Sequence, residues 1–153
     1  VDKYPNLVVS RTFSKVYGLA GLRVGYGVSN PQIADLLDRV RPPFNVKSLA
    51  LAAAVAALED EAHLQHSIEN NCRGMQMLTQ GFKNMALDYI PSVGNFIAVN
   101  VGRDAAPVYD ALLHEGVIVR PVANYGMPNH LRVTIGTEQQ NKRVLSALQK
   151  VLS

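Results

Sequence analysis

The chain has 153 residues, 48% of them apolar and 18% charged, with a formal charge of +3. This length supports a substantial hydrophobic core, and the composition excludes a disordered or low-complexity segment. The 15 basic and 12 acidic side chains are scattered along the sequence, so no nucleic-acid-binding stripe is expected.

In chain order, the first residues VDKYPN show no basic region followed by an apolar run, so no secretory leader is expected there. The chain opens with Val1 rather than Met and enters the apolar run Leu7–Val9 almost at once, as a piece of a longer protein would. Residues 6–13 (NLVVSRTF) are β-rich and predict a buried strand of a parallel sheet. A loop with Gly18 and Gly21 follows, then a second strand at 22–28. Asn30 and Pro31 predict an N-cap and first helical position, with Arg41-Pro42-Pro43 stopping the helix after Val40.

Residues 46–59 are nearly all Ala, Leu and Val and predict a helix buried on most of its surface. Its apolar core, Leu49 to Leu58, is too short to span a bilayer, so no membrane partner is expected. Residues 60–85 form an amphipathic pattern through Leu64, Ile68, Met75, Leu78 and Phe82, long enough for a connector helix. Cys72 within it is the single cysteine; without an internal disulfide partner it fits a reducing compartment and a cytoplasmic protein.

Beyond Pro91 the pattern becomes a strand at 96–101 and a helix at 105–115 ended by Gly116. Strands at 117–122 and 131–135 and a helix at 138–152 capped by Thr137 complete a small α+β layer. The domain boundary is expected near residue 60, dividing 1–60 from 61–153.

The candidate chemistry lies at Lys15. It follows a predicted strand, flanked by the hydroxyls of Thr12 and Ser14, with Arg23 beyond a Gly-punctuated loop. Hydroxyls donate to phosphate oxygens, a guanidinium grips two of them, and an amine beside an anchored phosphate suits a Schiff-base cofactor. On these residues alone, Lys15 and Arg23 also read as solvated charges beside a loop.

The run Ser10-Arg11-Thr12-Phe13-Ser14-Lys15-Val16-Tyr17-Gly18-Leu19-Ala20-Gly21-Leu22-Arg23-Val24-Gly25-Tyr26 resembles the cofactor-lysine motif of fold-type I aminotransferases, and in particular the histidinol-phosphate aminotransferase family. The resemblance implies an α/β fold of the aspartate aminotransferase-like, PLP-dependent kind. Here it would comprise a remnant of the large parallel-sheet domain and the small C-terminal α+β domain. It also implies that Lys15 carries pyridoxal 5'-phosphate, with Thr12, Ser14 and Arg23 on the phosphate. Arg132, in Leu131-Arg132-Val133, resembles the family's substrate-carboxylate arginine, and Arg120 falls where the subfamily places an arginine for a substrate phosphate. Asn95 and Asn45 match weaker positions near the substrate.

The implied reaction is transamination between histidinol phosphate and 2-oxoglutarate in histidine biosynthesis, by a homodimer whose partners are a small-molecule amino donor and a 2-oxo acid. The family's aspartate against the pyridine nitrogen and its stacking aromatic ring lie N-terminal to the lysine motif, so the 153-residue chain alone is expected to be inactive. An aromatic-amino-acid aminotransferase, a phospho-amino-acid decarboxylase of the same fold and a non-catalytic assembly domain remain as alternatives. No metal is expected: His63 and His66 lie three apart on a helix without a third ligand and read as surface residues, as does His114 at a helix end. His130 reads as a solvated ring in a turn.

Overall fold

In a computed structural model that describes residues 1–153, the chain forms two units, Val1–Ser67 and Ile68–Ser153. In the first, β1 (Val9–Thr12) pairs with β2 (Gly25–Val28), Val9 opposite Val28 and Thr12 opposite Gly25. The pairing is antiparallel, and both strands are largely exposed within this unit. The intervening segment holds only a 3-10 turn, Ala20–Leu22, and reverses the chain, whereas a parallel return needs a longer crossover. The same turn shortens the second strand at its start, where Arg23 takes a left-handed conformation.

Helix α1 (Pro31–Val40) starts as its sequence dictates: the Asn30 side chain accepts a hydrogen bond from the Ile33 amide, and Pro31 occupies the first turn, where its missing N–H costs nothing. Helix α2 (Ser48–Glu59) carries two buried residues, Ala50 and Ala54, which pack with Phe13 and Val24. Leu49, Leu51, Val55 and Leu58 are exposed, against the expectation of burial on most of its surface. An apolar helix buries only the faces that meet a neighbour, and within this unit one face of α2 does.

Helix α3 (Glu61–Asn84) begins in the first unit and continues into the second, where Leu78 and Phe82 are fully buried. Its glycines serve packing. A Cβ on Gly81 would lie 2.4 Å from the side chain of Leu145, and one on Gly74 would lie 2.4 Å from Ile135.

The second unit adds β3 (Tyr89–Ile90), β4 (Phe96–Asn100), α4 (Ala105–His114), β5 (Arg120–Pro121), β6 (His130–Thr134) and α5 (Glu138–Leu152). The sheet order is β3-β4-β6-β5, antiparallel throughout. Residues alternate across it: Ile97, Val99, Leu131 and Val133 face a core shared with α3, α4 and α5, while Ala98 and Arg132 point to the opposite face. Gly116 ends α4 with φ 72°, and Thr137 opens α5 in a reciprocal capping box with Gln140.

The strand expected over 117–122 pairs only at Arg120–Pro121. Val117, Val119 and Val122 nevertheless face inward. Pro121 has no N–H to extend the ladder. Strand β3 is too short to leave a periodic signal in sequence.

Candidate active site

Lys15 sits just past the end of β1, on a segment fixed from beneath by Phe13. That ring is buried against Val24, Ala50 and Ala54, and its amide donates to the Val24 carbonyl at 3.2 Å. Around the lysine the chain folds tightly: the Thr12 hydroxyl accepts from the Ser14 amide at 3.0 Å, and the Lys15 carbonyl accepts from the Gly18 amide at 2.9 Å. Arg23 reaches back, donating through Nη1 to the Ser14 hydroxyl at 3.4 Å and to the Ala20 carbonyl at 2.7 Å.

Thr12, Ser14 and Arg23 thus form one linked set of hydroxyls and a guanidinium beside Lys15, whose side chain is exposed and forms no hydrogen bond or ion pair within the chain. Arg23 holds φ 54° and ψ 49°, a left-handed backbone that costs a side-chain-bearing residue about 1–2 kcal/mol. Such strain clusters at ligand sites. This donor set suits a phosphate monoester, because each of its members can donate to an anionic oxygen.

Asn45 follows α1, and its neighbour Val46 packs against the Phe13 core beneath the lysine segment. Asn45 accepts through Oδ1 from Arg41 Nη1 at 3.3 Å, and it lines an open groove of about 620 Å³ with Asp38, Arg41, Pro43 and Phe44. Lys15 does not line that groove.

In the second unit, Arg132 lies at the centre of β6, opposite Ala98 on one side and Arg120 on the other. Directly opposed residues share a sheet face, so two guanidinium side chains stand side by side, an arrangement that disfavours itself unless an anion joins it. Arg132 is half-buried and rests 5.0 Å from the centroid of the Phe96 ring. Its Nε is buried without a hydrogen-bond partner, and the side chain forms no ion pair. Arg120 is exposed.

Asn95, also exposed, precedes β4; its carbonyl accepts from the Ile135 amide at 2.9 Å. Two neighbouring asparagines of α3 brace these strand ends, Asn71 donating to the Gly94 carbonyl at 3.2 Å and Asn70 to the Gly136 carbonyl at 3.1 Å.

Two residues contact the candidate site residues or their neighbours in ways that the sequence reading does not find. Phe96 supports Arg132, a pairing that depends on strand register rather than on spacing in the chain. His63, read as a surface residue, reaches the carbonyl of Val16, next to the lysine, at 3.1 Å. His114 bonds the Asp110 carbonyl of its own helix at 2.8 Å. His130 is not a solvated turn residue: it opens β6, half-buried, with Nδ1 buried and unpartnered. No group of three or more His, Cys, Asp or Glu residues is placed to hold a metal ion, and no helix is long and apolar enough to cross a membrane.

Residues 1–148 match the family model for aminotransferase class I and II. Among curated relatives, the chain is 67% identical over 150 residues to histidinol-phosphate aminotransferase 2 of Pseudomonas fluorescens strain Pf0-1, covering 98% of this chain and 40% of the relative. Among solved structures, it is similar to histidinol-phosphate aminotransferase from Sinorhizobium meliloti in complex with pyridoxal-5'-phosphate. That likeness has a TM-score of 0.87 and 32% identity, covering 97% of this chain and 41% of that one. L-threonine-O-3-phosphate decarboxylase from Porphyromonas gingivalis is also similar, with a TM-score of 0.85 and 27% identity, over 97% of this chain and 47% of that one. The chain therefore spans about 40% of the length of the curated relatives it matches. With a family model spanning nearly the whole sequence and a shared fold, the chain belongs to the aminotransferase class I and II family.

Proposed function

We propose that this chain serves a pyridoxal-phosphate-dependent transaminase that exchanges the amino group of histidinol phosphate with 2-oxoglutarate, giving imidazole-acetol phosphate and glutamate in histidine biosynthesis. The observation that carries the reading is the linked set of Thr12, Ser14 and Arg23 beside an unpaired lysine amine, in a chain 67% identical to a histidinol-phosphate aminotransferase. Lys15 would hold the cofactor covalently and the other three its phosphate. When bound, the cofactor supplies an electron sink that weakens the Cα–H bond of the amino substrate.

The residues of this chain then have distinct tasks. Released when the substrate's amino group takes its place on the cofactor, the Lys15 amine would take the proton from the substrate Cα and return it to a neighbouring carbon, as a positioned general base and acid. Arg132, preorganised on Phe96, grips the carboxylate of glutamate through two parallel hydrogen bonds. Arg120, beside it in the sheet, takes the phosphate that histidinol phosphate carries in place of that carboxylate. Asn95 and Asn45 orient substrate.

In this reading residues 1–60 belong to the larger cofactor-binding domain, and residues 61–153 supply the connector helix and the small domain. The whole protein is a cytoplasmic homodimer, and the 153-residue chain by itself has no transaminase activity. The exposed apolar side chains of α1 and α2, among them Leu36, Leu37, Leu49 and Val55, support an association surface on the first unit.

The test is amino transfer by the full-length protein from histidinol phosphate and, separately, phenylalanine to 2-oxoglutarate. Histidinol phosphate is the expected substrate, with Arg120→Ala lowering its kcat/KM about tenfold or more and sparing phenylalanine. No turnover of histidinol phosphate sinks the assignment. Carbon dioxide release from a phospho-amino acid would instead favour the decarboxylase reading that the Porphyromonas gingivalis structure supports.

A further inference from the structure

Within the first unit, a side-chain hydrogen bond reaches the Lys15 loop from beyond residues 12–24: His63 Nε2 to the Val16 carbonyl, at 3.1 Å. Hydrogen bonds within the loop run through Thr12, Ser14, Arg23 and the turn from Lys15 to Gly18. The His63 end of the contact is itself fixed. The Asp60 carboxylate caps the start of α3 by accepting from the His63 amide at 2.9 Å, and the Leu64 amide donates to the Asp60 carbonyl at 3.2 Å.

We propose that His63 is a positioning residue for Lys15: its imidazole, held with the proton on Nε2, tethers the Val16–Tyr17 peptide, one residue beyond the lysine, and so steadies the backbone from which the lysine stem projects. A carbonyl only accepts, so the contact requires Nε2 to carry hydrogen. The Ser67 hydroxyl, 3.4 Å from the same nitrogen, is then a second, weaker acceptor rather than a competing donor. The tether lies on the C-terminal side of Lys15, complementing the anchor that Phe13 provides on the N-terminal side. A proton-transferring amine must return to the same place in each cycle, which requires both sides of its backbone to be held.

The inference rests on the proposed role of Lys15, and its test separates the two. In the full-length protein, His63 is replaced by Gln, whose amide nitrogen sits near the position of Nε2; by Asn, whose amide falls short; and by Leu. Amide hydrogen exchange of the peptide spanning residues 15–19 should rise about 2- to 10-fold in H63L and H63N and stay within about twofold of wild type in H63Q. Exchange across 105–114 should be unchanged, which distinguishes a loosened loop from a destabilised fold. In turnover, H63L and H63N should lower kcat by a similar factor without raising the KM for histidinol phosphate, with H63Q restoring it. Wild-type exchange in H63L, or an H63Q protein as impaired as H63L, overturns the tether. Failure of borohydride to fix added pyridoxal phosphate on Lys15 of the wild type overturns the function of Lys15 while leaving the exchange result to judge the tether.

Discussion

Replacing Arg23 by glycine separates the two tasks that this residue combines. Its left-handed backbone costs about 1–2 kcal/mol with any side chain present, and glycine removes that cost. Against this stand the lost hydrogen bonds to Ser14 and Ala20, about 0.5–1.5 kcal/mol together because the 3.4 Å contact is weak. Glycine also has greater freedom in the unfolded chain, worth about 0.5–1 kcal/mol. The balance lies within about 1 kcal/mol of zero, so R23G should melt close to wild type without cofactor. R23A, which keeps the strain and loses the guanidinium, should be about 0.5–1 kcal/mol less stable than R23G, the strain less glycine's greater freedom in the unfolded chain. Both should bind pyridoxal phosphate about 10- to 150-fold more weakly, the worth of about 1.5–3 kcal/mol for a hydrogen bond to a charged oxygen. Thermal melts of the cofactor-free full-length protein and a spectroscopic titration with pyridoxal phosphate read the two effects separately. Equal stability of R23A and R23G refutes the strain argument, and undiminished cofactor affinity in both refutes the phosphate role.

Gly74→Ala should destabilise the protein by about 1–3 kcal/mol in urea denaturation. The new methyl would sit 2.4 Å from Ile135 and 2.7 Å from the amide of buried Asn141, which outweighs the roughly 1 kcal/mol of helix propensity gained. Arg132→Lys keeps the charge but loses the planar fork stacked on Phe96, so KM for glutamate should rise about tenfold or more, with a smaller change in kcat. A hydrogen bond and charge from Lys142 hold the Glu138 carboxyl below its ordinary value. Because the folded value is the lower one, the stabilisation is present above the unfolded value and is lost as pH falls through the folded one. Glu138→Gln should therefore lower Tm slightly at neutral pH, where the stabilisation is present, and leave it unchanged at acid pH, so that the acid limb of a Tm-against-pH series is slightly flatter.

Local signals in the sequence were sufficient wherever the determining partners are near neighbours. Asn30 with Pro31, Thr137 with Gln140, and Gly116 after His114 each act within one helical turn, and the structure ends or starts its helices there. The lysine segment was readable for a related reason: Thr12, Ser14, Lys15 and Arg23 lie within a few residues of one another, and a short loop closes them into one cluster. Where pairing spans long stretches of chain, the pattern misled. The apolar composition of α2 predicted burial, yet burial depends on what meets each face, and only Ala50 and Ala54 meet Phe13 and Val24. Val117 and Val119 alternate as a strand should, yet the ladder is confined to Arg120 and Pro121.

The sequence by itself determined the helix ends, the lysine cluster and the alternation that assigns each strand residue to a face. Only the tertiary structure decided that β1 and β2 run antiparallel, that β6 lies between β4 and β5, and hence that Arg132 stands beside Arg120 and over Phe96. It alone brought His63 to Val16. Capping and tight turns are set by energies that act within a few residues. Strand register and cross-chain contacts are settled by the packing of the whole unit, so residues far apart in sequence carry no local sign that they will meet.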